Sequence, residues 1–265
     1  MRANRLPAVR GLRWVAGAFA IFRVAPVRQL LLGLAFLFAS TITVALPLIG
    51  FAAIWLLFPA LMVGPHAVAR MAAGGTKPTL ELLISGFRRN VPAQLRMGGV
   101  YLGAMVVVLA GTALVDDGRF AEAVIGRTRL VLGDLQNPAV QRAMLVGACL
   151  QTLLLGLLWY APLLVAWNGL SAGKAAFFSA AAALINWRAF LAYGVAITLL
   201  FGLVLILALG GAMLLGGAAQ ANSALFSVVW TLLPVWFASS YLSYREVFSE
   251  DNPLEEPPKS PTIPP

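Results

Sequence analysis

The stretch IWLLFPALMVG, residues 54–64, places Trp55 four positions before Pro59 inside a long apolar run. Two further runs share this arrangement, LLWYAPLLVAW at 157–167 and VWTLLPVWFAS at 229–239. Their tryptophan and proline residues are Trp159 with Pro162 and Trp230 with Pro234. Proline removes one helix hydrogen bond, but membrane helices tolerate it because neighbouring groups satisfy the freed carbonyl. We interpret each run as the second helix of a membrane-spanning pair, and the three tryptophan–proline pairs as structural positions of a repeat.

The composition excludes an ordinary soluble domain. Of the 265 residues, 60% are hydrophobic and 11% are charged, whereas soluble domains average about 25% charged residues. Several runs approach the roughly 20 apolar residues that a helix needs to cross a bilayer. Because the hydrocarbon core offers no water to the backbone, such runs must be helical. The sequence therefore predicts an all-α integral membrane protein.

The apolar runs predict six transmembrane helices. They cover about 29–46, 51–69, 97–115, 143–167, 190–215 and 223–243. Within the three pairs, the connections are two tight turns, at 47–50 and 217–222, and one long hydrophilic loop at 116–142. We predict a single membrane domain over 1–245. The acidic, proline-rich segment 246–265 has the composition of a disordered chain and is predicted to be a cytoplasmic tail.

A shorter amphipathic segment precedes each pair of spans. These segments end in an aromatic residue followed by arginine, at Phe22-Arg23, Phe87-Arg88 and Trp187-Arg188. They are too short and too charged to cross a bilayer, so we place them in the membrane interface. In the first segment, 9–23, helical spacing puts four residues on one apolar face. Those residues are Leu12, Val15, Phe19 and Phe22.

The second interfacial segment begins after the loop GGTKPT at 74–79. Thr79 is suited to cap an α-helix, because its side-chain oxygen can accept a hydrogen bond from a free backbone N–H. The predicted apolar face of that helix consists of Leu80, Leu83, Ile84 and Phe87. The third segment, 173–188, is more apolar than the other two.

These features predict three copies of one unit, an interfacial helix followed by a helical hairpin. The units cover about 9–71, 78–168 and 173–244. FRVAPVRQLLLG at 22–33 aligns with FRRNVPAQLRMG at 87–98 without a gap, whereas WRAFLAYG at 187–194 fits only with a deletion. An internal repeat of this kind decides the architecture of a chain.

The distribution of charge predicts the orientation of the chain. The net charge is +9, and most arginines and lysines lie on the side that carries the N-terminus. The long loop on the other side carries Arg119, Arg127, Arg129 and Arg142, balanced by four acidic residues. The positive-inside rule therefore places both termini in the cytoplasm. The basic residues flank apolar runs and form no stripe interleaved with aromatic residues, so we expect no nucleic-acid partner.

Five arginines near the predicted interfacial helices are candidate contacts for lipid headgroups. They are Arg13, Arg23, Arg88, Arg89 and Arg188. An arginine beside an anionic membrane surface contributes about 1 kcal/mol to the attraction. Membrane lipids are accordingly the first expected partners, with another membrane protein or a second copy of this chain as further candidates.

The sequence carries no motif that predicts catalysis, a cofactor or a metal. One histidine and one cysteine, His66 and Cys149, cannot build a zinc site, and no phosphate-binding, dinucleotide or nucleophile motif is present. His66 and Arg70 lie one turn apart and are interpreted as an interfacial histidine beside a snorkelling arginine, with a headgroup or substrate phosphate contact as the alternative. Gln151, in the middle of span 4, is interpreted as a packing residue, with a solute path as the alternative.

The chain resembles a family of uncharacterised proteobacterial multi-pass inner-membrane proteins of unknown function. The resemblance covers about 11–245 and rests on GLRW at 11–14, FRVAP at 22–26, PLIG at 47–50 and PALMVG at 59–64. It implies a location in the bacterial inner (plasma) membrane. More distantly, the repeat of interfacial helix and hairpin is similar to the membrane domain of some glycerophosphodiester phosphodiesterases, whose catalytic domain this chain lacks.

Two functional hypotheses follow. The first is a non-enzymatic scaffold, accessory or lipid-interacting protein, which the charge-free spans and basic interfacial segments favour. The second is a transporter or channel for a small, weakly polar solute that uses the proline-containing helices, because kinked helices can line a cavity. The spans disfavour ion or proton coupling, since ionisable residues inside the bilayer are the usual markers of such paths. We expect the protein not to be an enzyme.

Overall fold

A computed structural model describes residues 3–44, 49–216 and 221–248, and every element assigned within them is helical. The α-helices are α1 Val9–Val24, α2 Pro26–Val44, α3 Gly50–Ala73, α4 Val91–Asp116, α5 Arg119–Val124, α6 Leu132–Leu135, α7 Pro138–Leu157, α8 Ala161–Asn168, α9 Ala172–Ile185, α10 Trp187–Gly216 and α11 Ala221–Phe248. A 3₁₀ helix covers Leu80–Phe87.

Six segments of the described chain are long and apolar enough to cross a membrane. They are Pro26–Val44, Gly50–Ala73, Val91–Asp116, Pro138–Asn168, Trp187–Leu214 and Ser223–Phe248. Each contains or closely overlaps one predicted span, so the prediction of an all-α protein with six spans is confirmed. The predicted turns at 47–50 and 217–222 fall largely outside the described residues.

Most of the core lies at one end of the bundle, in a region we call the packed layer. It consists of α1, the 3₁₀ helix, α8 and α9 together with the adjoining ends of the long helices, namely 60–73 of α3, 91–101 of α4, 187–193 of α10 and 232–248 of α11. The largest cluster of buried apolar side chains belongs almost entirely to these segments, among them Trp14, Met97, Tyr160 and Val235. The first and third of the short segments ahead of the hairpins, α1 and α9, are therefore part of this core, whereas the 3₁₀ helix packs against a smaller cluster through Leu83.

The halves of the helices that lead away from the packed layer bury much less of their surface. No residue between 195 and 214 of α10 is buried, and Val228 is the one buried residue in 223–231 of α11. The hairpin of α4 and α7 is more closely packed, because Met105, Val108 and Thr112 of α4 and Val140 and Ala143 of α7 are buried. Leu32 and Phe36 of α2 are buried as well. At 1.5 Å per residue, the exposed part of α10 spans about 30 Å, the thickness of a hydrocarbon core. These halves therefore present apolar surface to lipid.

In each hairpin the second span is more buried than the first. The buried share is 39% for Gly50–Ala73, 39% for Pro138–Asn168 and 61% for Ser223–Phe248. The first spans of the three hairpins have shares of 17%, 28% and 6%, in chain order. The second spans therefore form the inner part of the bundle. This placement agrees with the predicted three-fold repeat, which itself stays a prediction.

Helix α1 buries most of the predicted apolar face together with residues that the prediction left out. Val15 is buried and Phe19 and Phe22 pack against the largest core cluster, whereas Leu12 is 51% exposed. Gly11, Trp14, Ala18 and Ile21 are also buried, and the helix contacts α10 and α11. At Gly11 two backbones approach closely, because a Cβ there would lie 2.2 Å from the carbonyl oxygen of Ala189 in α10. Glycine thus belongs to the contact face, which hydrophobicity alone cannot reveal.

The second interfacial segment is a 3₁₀ helix, not the α-helix we predicted, and Thr79 makes no side-chain cap to it. With three residues per turn, Leu83 and Gly86 share one face. That face touches α3, where a Cβ at Gly86 would lie 2.0 Å from the carbonyl oxygen of Ala60. Of the predicted apolar face, Leu80 is 65% exposed, and Ile84 and Phe87 are also exposed.

Span 4 is interrupted where its proline occurs. Helix α7 ends at Leu157 and α8 begins at Ala161, because Pro162 cannot donate a hydrogen bond to the carbonyl of Leu158. The hydroxyl of Tyr101 donates to that carbonyl instead, over 2.6 Å. Ser179 secures the same break, since its Oγ accepts from the N–H of Tyr160 and donates to the carbonyl of Leu157. In contrast, Pro59 and Pro234 lie inside unbroken helices.

The loop 116–142 and the C-terminal end of α11 show two further features. In the loop 116–142, the carboxylate of Asp116 accepts from the N–H groups of Gly118 and Phe120 and so caps α5. Helix α11 continues to Phe248, three residues into the predicted tail. The remainder of that tail, 249–265, lies outside the described residues.

Candidate functional site

The five arginines predicted to contact lipid headgroups are all exposed. Arg13 and Arg23 lie on α1, Arg88 and Arg89 follow the 3₁₀ helix, and Arg188 lies in the first turn of α10. All of these positions belong to the packed layer or border it. The structure thus places the predicted set at one end of the bundle, while it distributes the arginines around that end and does not gather them into a single pocket.

Among the described residues, these arginines have no acidic partner. Within the described parts of the chain, the one ion pair joins Arg10 and Glu246. Of the five, Arg188 also stacks on an aromatic ring, with its guanidinium carbon 5.3 Å from the ring centre of Trp187. An aromatic residue at a membrane interface commonly sits at the level of the headgroups.

The charged residues that do pair have a structural role that the sequence did not reveal. Arg10 donates to both carboxylate oxygens of Glu246, and the indole N–H of Trp14 donates to the same carboxylate over 2.8 Å. The side-chain carbonyl of Asn186 accepts from the N–H of Leu6 over 2.8 Å. These contacts fasten the N-terminal segment to the ends of α9 and α11.

A cavity with about 480 Å³ of empty space lies between α3, α4, α7, α8 and α11, at the boundary between the packed layer and the less buried halves of the helices. Its walls are mainly aromatic and include Phe58, Tyr101, Trp159 and Trp236. Trp159 and Trp236 meet edge to face, with ring centres 5.8 Å apart. The indole N–H of Trp159 is buried and has no hydrogen-bond partner.

The polar side chains of this cavity are those of His66 and Ser240. Nδ1 of His66 lies 2.7 Å from the carbonyl oxygen of Met62, and Nε2 lies 2.8 Å from Oγ of Ser240. Because a carbonyl oxygen can only accept, Nδ1 carries the proton. In the neutral ring, Nε2 then accepts from the hydroxyl of Ser240. The hydrogen-bond network thus assigns the tautomer of His66.

The structure corrects the interpretation of His66 and supports that of Arg70. His66 is 6% exposed and faces the cavity, so it is not an interfacial histidine. Arg70, one turn further along α3, is exposed and lies over the ring of Trp167, 5.1 Å from its centre. The two residues therefore do not form one site. Sequence reasoning missed Ser240 because it lies 174 positions from its partner in the chain.

The pair of Ser240 and His66 has the geometry of a nucleophile beside a base. In such sites the histidine is usually oriented by a carboxylate, whereas here a main-chain carbonyl of α3 fulfils that role. The lining of the cavity contains no Asp, Glu, Lys or Arg.

The six repeat positions do not assemble into one site. Pro59, Pro162 and Pro234 are buried and the three tryptophans are half-buried, but each tryptophan has different neighbours. Trp230 donates to the carbonyl of Leu30 over 2.8 Å, whereas Trp159 has no acceptor. Pro162 lines the cavity of His66, while Pro234 lines a smaller cavity of about 290 Å³ beside α2.

Gln151 takes no part in either cavity. It is half-buried on α7, and neither the lining of the 480 Å³ cavity nor that of the smaller one includes it. The interpretation as a packing residue is therefore favoured over a solute path through either space.

Comparison with known proteins finds a relative of nearly the same length. The chain is 31% identical over 262 residues to a probable inner membrane protein of Burkholderia thailandensis, and the match covers 96% of each chain. No protein-family model matches the chain. No solved structure gives a significant match. The resemblance to proteobacterial inner-membrane proteins is thereby confirmed, whereas the distant likeness to a phosphodiesterase membrane domain stays a prediction.

Proposed function

The chain belongs to the family of the Burkholderia inner membrane protein, and from this premise we propose that it is a non-enzymatic protein of the bacterial inner membrane that binds anionic lipid through its exposed arginines. The observation that carries the proposal is the unpaired state of Arg13, Arg23, Arg88, Arg89 and Arg188 around the packed layer. The orientation that goes with it has both termini in the cytoplasm.

Charge balance supports this proposal. On the side predicted to carry both termini, the sequence has 15 arginines and lysines against six acidic residues. The six are Glu81, Glu246, which is paired with Arg10, and four residues of the segment 249–265, which lies outside the described residues. In the loop region at the opposite end, arginines alternate with acidic side chains. An uncompensated basic surface at a membrane attracts anionic headgroups.

Arg88 and Arg89 offer the most direct test, because they are adjacent and exposed. We expect the double variant Arg88→Gln and Arg89→Gln to lose about 2 kcal/mol of attraction to an anionic surface, from about 1 kcal/mol per arginine. This loss corresponds to roughly a 30-fold weaker association. The measurement is native mass spectrometry of protein released from nanodiscs of phosphatidylglycerol and phosphatidylethanolamine, counting retained phosphatidylglycerol.

A matched control uses the loop at the other end of the bundle. Arg127 and Arg129 are also exposed, but this loop carries acidic residues as well. Their replacement by glutamine removes the same charge, and we expect it to change retained phosphatidylglycerol far less. Equal losses in the two double variants, or no loss in either, would refute the proposal.

A second candidate, transport of a small uncharged solute, draws support from the cavity that Pro162 lines. Its test is flux of a neutral solute such as glycerol into vesicles that contain the purified protein. Transport requires a flux that falls when Leu155, at the edge of the cavity, is replaced by tryptophan. A flux equal to that of empty vesicles rejects this candidate.

A further inference from the structure

We propose that the cavity between α3, α4, α7, α8 and α11 binds an uncharged lipid that carries a hydroxyl group on an apolar chain. This site is independent of the arginines, which lie on the outside of the packed layer. The size of the cavity, its walls, its polar groups and its place in the bundle all indicate such a ligand.

The size and the walls indicate a ligand that is mainly apolar. The 480 Å³ of the cavity includes space that is open to the surroundings, and the enclosed room is about 80 Å³. This room suits the polar end of a ligand and a few carbon atoms, while the rest of an apolar chain would lie outside it. Phe58 and Trp236 provide aromatic surface, and Met62 provides a flexible side chain that adapts to irregular shapes. Tyr101 presents its ring to the cavity, because its hydroxyl is engaged with the carbonyl of Leu158.

The polar groups define what the ligand must carry. The proton of Ser240 is directed at His66, so Oγ retains lone pairs that can accept one further hydrogen bond. The indole N–H of Trp159 has no acceptor among the described residues, but it is shielded from the cavity and offers the ligand no hydrogen bond. A hydroxyl on the ligand can donate to Oγ of Ser240.

The absence of charge in the lining excludes a charged headgroup. No Lys, Arg, Asp or Glu is among the residues that surround the cavity. A carboxylate or phosphate placed there would lose its hydration without gaining an opposite charge, which is strongly unfavourable. The ligand is therefore neutral, unlike the anionic lipids proposed for the outer surface.

The position of the cavity indicates where the ligand comes from. Phe58, Met62 and Leu155 are half-buried residues of its lining, and Leu153, two positions from Leu155 on α7, is 58% exposed. The same level of the bundle begins the halves of the helices that present apolar surface to lipid. A lipid chain can therefore enter sideways from the hydrocarbon core, without crossing the packed layer.

The test uses a long-chain fatty alcohol that carries a photoreactive diazirine, incorporated into nanodiscs with the full-length protein. We expect crosslinks on the segments around Phe58–His66 and Leu155–Leu163, and at least tenfold competition by unlabelled fatty alcohol. Phosphatidylglycerol should not compete. Labelling that is spread along the exposed face of α10 and does not saturate would overturn the proposal.

Two variants and one matched control sharpen the test. Leu155→Trp fills part of the cavity and should reduce the saturable labelling at least tenfold, whereas Leu153→Trp, on the exposed side of the same helix, should leave it unchanged. Ser240→Ala removes one hydrogen bond, so it should weaken binding of the alcohol about three- to tenfold. A diazirine alkane without the hydroxyl should bind Ser240→Ala and the natural protein equally.

Each of these results supports or refutes the proposed binding site. If competition by unlabelled fatty alcohol is the same in Ser240→Ala as in the natural protein, the proposed role of the hydroxyl is refuted. This variant also tests the proposal if Leu155→Trp does not fold. Equal labelling in Leu155→Trp and Leu153→Trp refutes the cavity as the site. Because Arg88 and Arg89 are intact in these variants, a negative result would refute the proposal for the cavity alone. The proposal for the arginines is tested separately by the retained-lipid experiment.

Discussion

At the scale of single residues, the contacts that fix the packed layer join positions far apart in the chain. Arg10 and Trp14 reach Glu246 across more than 230 positions, and His66 reaches Ser240 across 174. Sequence reasoning identified the exposed arginines correctly, because exposure follows from charge. It could not identify Ser240 or Glu246 as partners, since nothing local distinguishes a serine or glutamate that pairs from one that does not.

Among the charged residues, loss of the Glu246 carboxylate should lower the stability of the protein most. The side chains of Arg10 and Glu246 are 17% and 14% exposed, and removing one partner of a largely buried pair costs about 3 kcal/mol. We expect Glu246→Ala to lower the free energy of unfolding by about this amount. Thermal unfolding in mild detergent, followed by circular dichroism, measures the change.

The control for this prediction is Glu122→Ala, which removes an exposed carboxylate from α5 and should alter stability by less than about 0.5 kcal/mol. In addition, Arg10→Ala combined with Glu246→Ala should cost less than the sum of the single changes, because the two residues interact. Strict additivity would show that the ion pair contributes nothing.

At the scale of elements, glycines decide which helix faces meet. The lengths and apolar character of the six spans follow from hydropathy, so Gly50–Ala73 agrees closely with the predicted span 51–69. The prediction left Gly11 out of the buried face of α1 and Gly86 out of that of the 3₁₀ helix, because glycines carry no hydrophobic signal yet allow the backbones to touch. Small residues have this role at helix contacts in membranes generally.

Two neighbouring glycines of α4 give a matched test of this explanation. A Cβ at Gly98 would lie 1.9 Å from the carbonyl oxygen of Leu56 in α3, whereas a Cβ at Gly99 would have nothing within 4 Å. We expect Gly98→Ala to destabilise the protein by about 1–3 kcal/mol, the usual cost of overpacking. Gly99→Ala should stabilise it by up to about 1 kcal/mol, because alanine favours the helix. Unfolding in detergent distinguishes the two, and equal effects would contradict close packing of α3 and α4.

At the scale of the whole molecule, the packed layer and the exposed apolar halves of the long helices have different roles. The first supplies the core and carries the unpaired arginines, and the second presents apolar surface that only a hydrocarbon environment can satisfy. The cavity of His66 and Ser240 lies where they meet. Sequence reasoning reached the number of spans and the charge asymmetry, which are sums over many residues. It did not reach the cavity, which depends on how five helices are placed relative to one another.

We propose that the basic end of the bundle faces the cytoplasm. The accessibility of introduced cysteines tests this orientation. In a Cys149→Ala background, Lys77→Cys places a thiol in the loop before the 3₁₀ helix, and Arg127→Cys places one in the loop between α5 and α6. Intact spheroplasts are treated with a membrane-impermeant maleimide. We expect Arg127→Cys to be labelled from outside and Lys77→Cys to be labelled only after the membrane is opened. The reverse pattern would contradict the proposed orientation and, with it, the cytoplasmic location of the arginines.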